Sequence, residues 1–231
     1  EAIERLDPLQ RGALIHDIQY AALSLLRDRR VLPVTELNLG QAYAALEEAV
    51  NGVSESFRDR LAPAIDRVWQ DAVAAIHADL REWLYRMSED ETGFVPWRFE
   101  LSFGLGDMEK ADLHSTADPI EVESGFRLRG CIDLLERNAK AELRVVDHKT
   151  GRVRIPQGAI IGGGESLQPL LYGLVTKSLF EEAPNVFSEL YYCTTAGGFE
   201  KRAFALKDNA LIIAERLAET IDASIQRGQL P

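Results

Sequence analysis

Residues 130–151, G-C-I-D-L-L-E-R-N-A-K-A-E-L-R-V-V-D-H-K-T-G, constrain the fold of this chain most. They read as two short strands with a polar turn between them. The first strand runs from about residue 126 to 136, with its apolar part ending near Asp133. Residues 137–140 form the turn, residues 141–149 the second strand, and Thr150 with Gly151 break it. Side chains alternate across a strand, so Asp147 and Lys149 share one face, about 7 Å apart, while His148 points to the other. Val145 and Val146 just before them mark a strand that enters the core. A carboxylate and an ammonium at the end of such a strand are costly to bury unless they have partners. Asp133, one strand over, can add a second carboxylate to the same face.

Two carboxylates and a lysine on adjacent strands can form a hydrolytic metal site. The carboxylates suit a hard cation such as Mg²⁺. The metal lowers the pKa of a bound water and neutralises charge building on a phosphate. The lysine orients or deprotonates that water, or stabilises the transition state. The triplet D-x-K is common, and alone it reads more readily as a surface hairpin carrying an Asp–Lys ion pair.

The 231 residues suffice for one large domain or two small ones, and 46% are hydrophobic, enough for a core without staples. The two cysteines, Cys131 and Cys193, lie far apart without C-x-x-C spacing, which argues against a disulfide framework or a cysteine zinc site and points to a reducing, cytoplasmic compartment. No apolar run approaches the roughly 20 residues of a membrane span. The first residues do not read as a signal peptide, and without an initiator Met the chain reads as a fragment of a larger protein. The net charge of −11 predicts weak autonomous grip on nucleic acid, with a partner supplying most of it.

Along the chain, residues 9–28 read as a helix, with Ala13, Leu14, Ile18, Ala21, Ala22 and Leu25 at helical spacing. Thr35 is a candidate cap for a second helix over about 36–50, and residues 51–56 read as a loop. A long helix follows over about 57–87, with Pro63 in its first turn. Residues 95–105 read as a strand with Trp97, Phe99, Leu101 and Phe103 on one face and Arg98, Glu100 and Ser102 on the other. Residues 106–119 read as a polar loop. After the central hairpin come a glycine-rich loop (152–165), a helix (166–180), a strand (186–194), a Gly197-Gly198 turn, a partner strand (199–205) and a closing helix (208–227). Gly162–Gly164 lacks the G-K-[ST] ending of a phosphate-binding loop. The order implies an α/β (α+β) chain: a mixed central sheet flanked by helices, with a helical N-terminal part over 1–93 and a sheet-containing core over 94–231 in a single domain. The connection from Lys149 to Val186 holds a helix and suits a crossover between parallel strands.

Other residues carry little chemistry by themselves. His16 sits on the first helix with Gly12 and Tyr20 on its face, and a lone helical histidine is usually structural. Gln168 and Tyr172, four apart, share a helix face and read as a packing pair. Glu100 lies on the polar side of its strand.

Taken in order, G-C-I-D, V-V-D-H-K-T-G and L-Q-P-L-L-Y-G-L-V resemble the core of PD-(D/E)xK nucleases, in particular the RecB/AddB branch of recombination nucleases. That branch has a G-x-x-D strand, a D-x-K-T-G strand, a Q-x-x-x-Y helix and an upstream G-x-x-x-H helix, matched here by Gly12 and His16. The motifs span Gly12 to Tyr172. The resemblance implies a restriction-endonuclease-like core. It implies a Mg²⁺ or Mn²⁺ site ligated by His16, Asp133, Asp147 and the His148 carbonyl, with Lys149 as catalytic lysine. Gln168 and Tyr172 would support the lysine, the water or the DNA backbone, and Glu100 matches the acidic residue on the strand before G-x-x-D.

This chain departs from the branch in two respects. His148 stands where tyrosine is frequent, and neither cysteine fits the four-cysteine iron–sulfur cluster that many members carry outside these limits, so a cluster is expected only in a longer protein. The resemblance implies a metal-dependent DNA nuclease, an (exo)deoxyribonuclease acting on single strands or duplex ends, with exo- and endonuclease modes both open. It would work in recombination or repair beside a helicase domain or partner subunit, and not at a membrane. The alternative is a nuclease-like fold retained as an inactive interaction or DNA-scaffolding module; the acidic charge favours it and the intact D…D-x-K set disfavours it.

Overall fold

The computed structural model describes residues 3–106, 112–122, 125–153, 167–204, 223 and 227. Its elements are α1 (Pro8–Asp28), α2 (Leu39–Leu61), α3 (Asp66–Ser88), β1 (Val95–Phe103), β2 (Ile120–Glu121), β3 (Arg127–Leu128), β4 (Gly130–Arg137), β5 (Leu143–Lys149), α4 (Leu167–Leu179), β6 (Val186–Tyr192), a 3-10 turn (Thr195–Gly197) and β7 (Lys201–Phe204). Five strands form one mixed sheet in the order β1-β4-β5-β6-β7, flanked by helices, as the sequence implies; β2 and β3 form a separate small sheet. All of the expected closing helix, 208–227, except residues 223 and 227, and most of the glycine-rich loop lie outside the described residues.

The chain forms two compact units. One comprises Glu1–Phe99, His148–Val153 and Tyr191–Lys201; the other comprises Glu100–Asp147, Arg154–Leu190 and Arg202–Pro231.

In the first unit, α1 starts at a capping box: the Asp7 carboxylate accepts from the Gln10 N–H, and the Gln10 side chain accepts from the Asp7 N–H. α1 packs on α2, and α2 on α3. The seam is apolar, with Leu14, Ile18 and Leu26 of α1, Ala42, Ala45 and Leu46 of α2, and Ile76, Leu80 and Trp83 of α3 buried. The break between α2 and α3 falls at residues 62–65, not at 51–56. Asn51, Gly52 and Ser56 are exposed and stay helical, because Phe57 extends the buried stripe of Ala42, Ala45, Leu46, Ala49 and Val50. Pro63 instead ends the helix, with Ala62 in the left-handed region donating its N–H to the Arg58 carbonyl. Thr35 does not cap α2. Its N–H is bound by the Asn38 side chain, which also donates to the Val31 and Pro33 carbonyls and so wires the entry turn.

In the second unit, β4 and β5 are antiparallel with Leu134 opposite Val146 and Glu136 opposite Arg144. The turn is tied by the Asn138 side-chain oxygen, which accepts from the Lys140 and Glu142 N–H groups. Glu136 and Arg144 form a buried ion pair. On β1, Leu101 and Phe103 are buried, and so is Ser102, whose N–H donates to the Ser115 hydroxyl. Residues 106–119 read as a polar loop; among those described, 112–119 hold turns and bends that close on β1 through a bridge from Thr116 to Phe103, and β2 follows at Ile120–Glu121.

Candidate active site

Register fixes the carboxylates. The pairing of Leu134 with Val146 places the next residues outward, Asp133 and Asp147, opposite one another across β4 and β5. Opposite residues of an antiparallel pair share a face, so both carboxylates belong to one face of the sheet. Asp147 is almost fully buried, 2% exposed, and Asp133 is half-buried. β1 adds Glu100, a carboxylate oxygen of which lies within 4.8 Å of one from Asp133. Glu100 has φ +50°, a left-handed conformation unusual for a glutamate in a strand. Two carboxylate oxygens at that separation fit one hard cation, whose oxygen ligands stand about 2.0–2.6 Å away.

Cys131, two residues before Asp133 and on its face, donates its thiol to Glu100 Oε2 at 3.2 Å. Burial, and then the Glu100 charge, push the Cys131 thiol far up, so it remains protonated beside the carboxylates. Sequence reasoning misses Cys131 as a member of the site; strand alternation from Asp133 is the signal that places it there.

Tyr172 of α4 lies against the start of β4. A Cβ on Gly130 would stand 3.1 Å from Tyr172 Oη and 3.2 Å from Phe103 Cζ, so the glycine of G-x-x-D makes room for this ring. The Phe103 and Tyr172 rings meet edge to face at 5.9 Å. Gln168 Nε2 donates to Tyr172 Oη at 3.1 Å, so the expected pair is made. Burial raises the Tyr172 phenol above its ordinary value; the charges of Asp147 and Asp133 add to this, and the bond from Gln168 opposes it.

The remaining predicted residues belong to the first unit. β5 continues from Asp147 into His148 and Lys149. His148 is 3% exposed, with its ring edge-to-face with Trp83 at 5.8 Å. The His16 ring of α1 lies 6.4 Å from that of His148, so the helix of G-x-x-x-H is held beside the D-x-K strand. One turn earlier, Gly12 lies against Thr150: a Cβ there would touch Thr150 Oγ1 at 3.4 Å. Lys149 is half-buried at the end of β5.

The family model of the PD-(D/E)XK nuclease superfamily matches residues 1–230, and the chain belongs to that superfamily. Its five-stranded mixed sheet and flanking helices are those of a restriction-endonuclease-like fold. Over 100 residues it is 38% identical to an ATP-dependent helicase/deoxyribonuclease subunit of Carboxydothermus hydrogenoformans. That match covers 41% of this chain and 9% of the relative, so it spans under a tenth of the relative's length. Among the described residues, no helix is long and apolar enough to cross a membrane.

Proposed function

We propose that the chain is the nuclease part of a DNA-processing protein and hydrolyses phosphodiester bonds with Mg²⁺ or Mn²⁺. The observation that carries this reading is the register of β4 and β5, which sets Asp133 opposite Asp147 with Glu100 alongside. Membership of a nuclease superfamily supports it.

Asp133 and Asp147 would hold the metal with His16 and the His148 carbonyl, and Glu100 offers a further oxygen. Bound there, the ion would supply Lewis-acid neutralisation of phosphate charge and a water of lowered pKa. Lys149 presents a positive charge next to the last carboxylate of the strand. It orients the attacking water or stabilises charge on the phosphate oxygens. Tyr172, kept neutral by burial and the nearby carboxylates, retains its proton and can donate it in a hydrogen bond to a phosphate oxygen or to water. Gln168 fixes the orientation of that phenol. The similarity to a helicase/deoxyribonuclease subunit supports DNA as substrate and a helicase domain or subunit beside this chain. Single strands or duplex ends, in recombination or repair, are the substrates and setting we propose. An acidic chain of net charge −11 fits such a partner, which would supply the basic grip on DNA.

The test is cleavage of single-stranded and duplex DNA with Mg²⁺ or Mn²⁺, set against the same reaction in EDTA. Metal-dependent product supports the reading. Metal binding without product in any substrate format would favour the scaffolding module instead.

A further inference from the structure

We infer that Asp79 is a positioning residue for Lys149, acting through a brace formed by residues 193–197. The inference rests on the nuclease reading only in naming Lys149 as the catalytic group; the brace itself lies wholly within the first unit.

Asp79 sits on α3 and is 7% exposed. A buried carboxylate needs partners, and Asp79 has three. Arg11 Nη2 of α1 bonds Oδ2 at 2.8 Å. Oδ1 accepts from the Thr195 N–H at 2.9 Å and from Thr195 Oγ1 at 2.6 Å. One carboxylate thus ties both helices to the first residue of the 3-10 turn.

The neighbours of Thr195 in turn hold the end of the D-x-K-T-G strand. Cys193 N–H donates to the Lys149 carbonyl at 3.0 Å. Thr194 Oγ1, fully buried, donates to the Thr150 carbonyl at 3.1 Å. Gly197 closes on the next residue: a Cβ there would stand 2.8 Å from the Gly151 carbonyl oxygen and 2.5 Å from Tyr192 Cβ. Three consecutive residues, Lys149 to Gly151, are therefore registered against a turn whose anchor is Asp79. The Lys149 backbone cannot shift without breaking these contacts, and the turn cannot shift without leaving Asp79. Catalytic groups tolerate little displacement, since an error of about 1 Å can cost about 100-fold in rate.

The experiment compares the chain with its Asp79→Ala, Thr195→Val and Thr195→Ser variants. In DNA cleavage with Mg²⁺, Asp79→Ala should lower kcat about 100-fold with KM within about two-fold, the signature of an interaction that matters in the transition state. Thr195→Val, which keeps the shape and removes the hydroxyl bond, should lower kcat about ten-fold, and Thr195→Ser should restore it. A second readout does not depend on cleavage: the rate at which acetic anhydride acylates Lys149 at fixed pH in EDTA, read by mass spectrometry. That rate should change by about three-fold or more in Asp79→Ala and Thr195→Val, and stay at the wild-type value in Thr195→Ser. Wild-type kcat together with unchanged acylation would overturn the brace. So would a loss that Thr195→Ser fails to restore. If Asp79→Ala does not fold, the Val and Ser variants decide the matter. If the unaltered chain does not cleave DNA, the nuclease reading fails while the acylation comparison still tests the brace.

Discussion

Gly130 lies so close beneath Tyr172 that a Cβ added to it would stand 3.1 Å from the phenol oxygen. The glycine that opens the G-x-x-D strand and the tyrosine that closes the Q-x-x-x-Y helix are thus two halves of one contact. The ring occupies the space a side chain at 130 would need, which is the physical reason a glycine opens the strand that carries Asp133.

Gly130→Ala should therefore destabilise the protein by overpacking, by about 1–3 kcal/mol. Urea unfolding measures it. Combining it with Tyr172→Phe, which removes the crowding oxygen, should recover part of the loss, whereas strict additivity would show that the two residues do not interact.

Tyr172 should ionise above the ordinary tyrosine value of 10.0, because burial and the Asp147 and Asp133 charges all oppose the phenolate. A phenol raised in the folded state contributes stability in full below the unfolded value, and that contribution is lost as pH rises through the folded value. Tyrosinate absorbance of the wild type minus that of Tyr172→Phe should show the transition above 10.0, and Asp133→Asn should lower it. A transition at or below the free value would contradict the placement.

The Glu136–Arg144 pair across β4 and β5 is buried, with exposures of 5% and 8%. Arg144→Met removes the guanidinium that faces a buried carboxylate and should cost about 3–5 kcal/mol. The double change Glu136→Leu with Arg144→Met should be far milder, close to neutral, in chemical denaturation.

Metal binding should depend on the facing carboxylates. Mn²⁺ titrated calorimetrically should bind the wild type and bind Asp133→Asn and Asp147→Asn at least about ten-fold more weakly. Equal affinity in all three would place the ion elsewhere.

Much of this is legible in the sequence because strand alternation is a short-range rule. The two-residue period puts Asp147 with Lys149 and His148 on the opposite face, and His148 does pack into a ring cluster with Trp83. Helical spacing pairs Gln168 with Tyr172. What escapes depends on long-range contacts or on helix stops. Asn51, Gly52 and Ser56 look like a loop, and so hide the true α2–α3 break, because the packing of Phe57 overrides their weak helix propensity. By spacing alone Glu100 reads only as the polar side of its strand, because nothing local announces its left-handed backbone or the Cys131 thiol beside it; the resemblance, not the strand pattern, brings it to the site. Asp79 lies 116 residues from Thr195, and no pattern in either helix or turn links them.

The most direct measurement is cleavage of end-labelled single-stranded and duplex DNA in Mg²⁺, wild type against Lys149→Ala, with folding of both confirmed by circular dichroism. The expected result is product that EDTA abolishes in the wild type, and a rate at least about 100-fold lower in a folded Lys149→Ala. Equal metal-dependent cleavage by both proteins would remove Lys149 from the chemistry and contradict the proposed site.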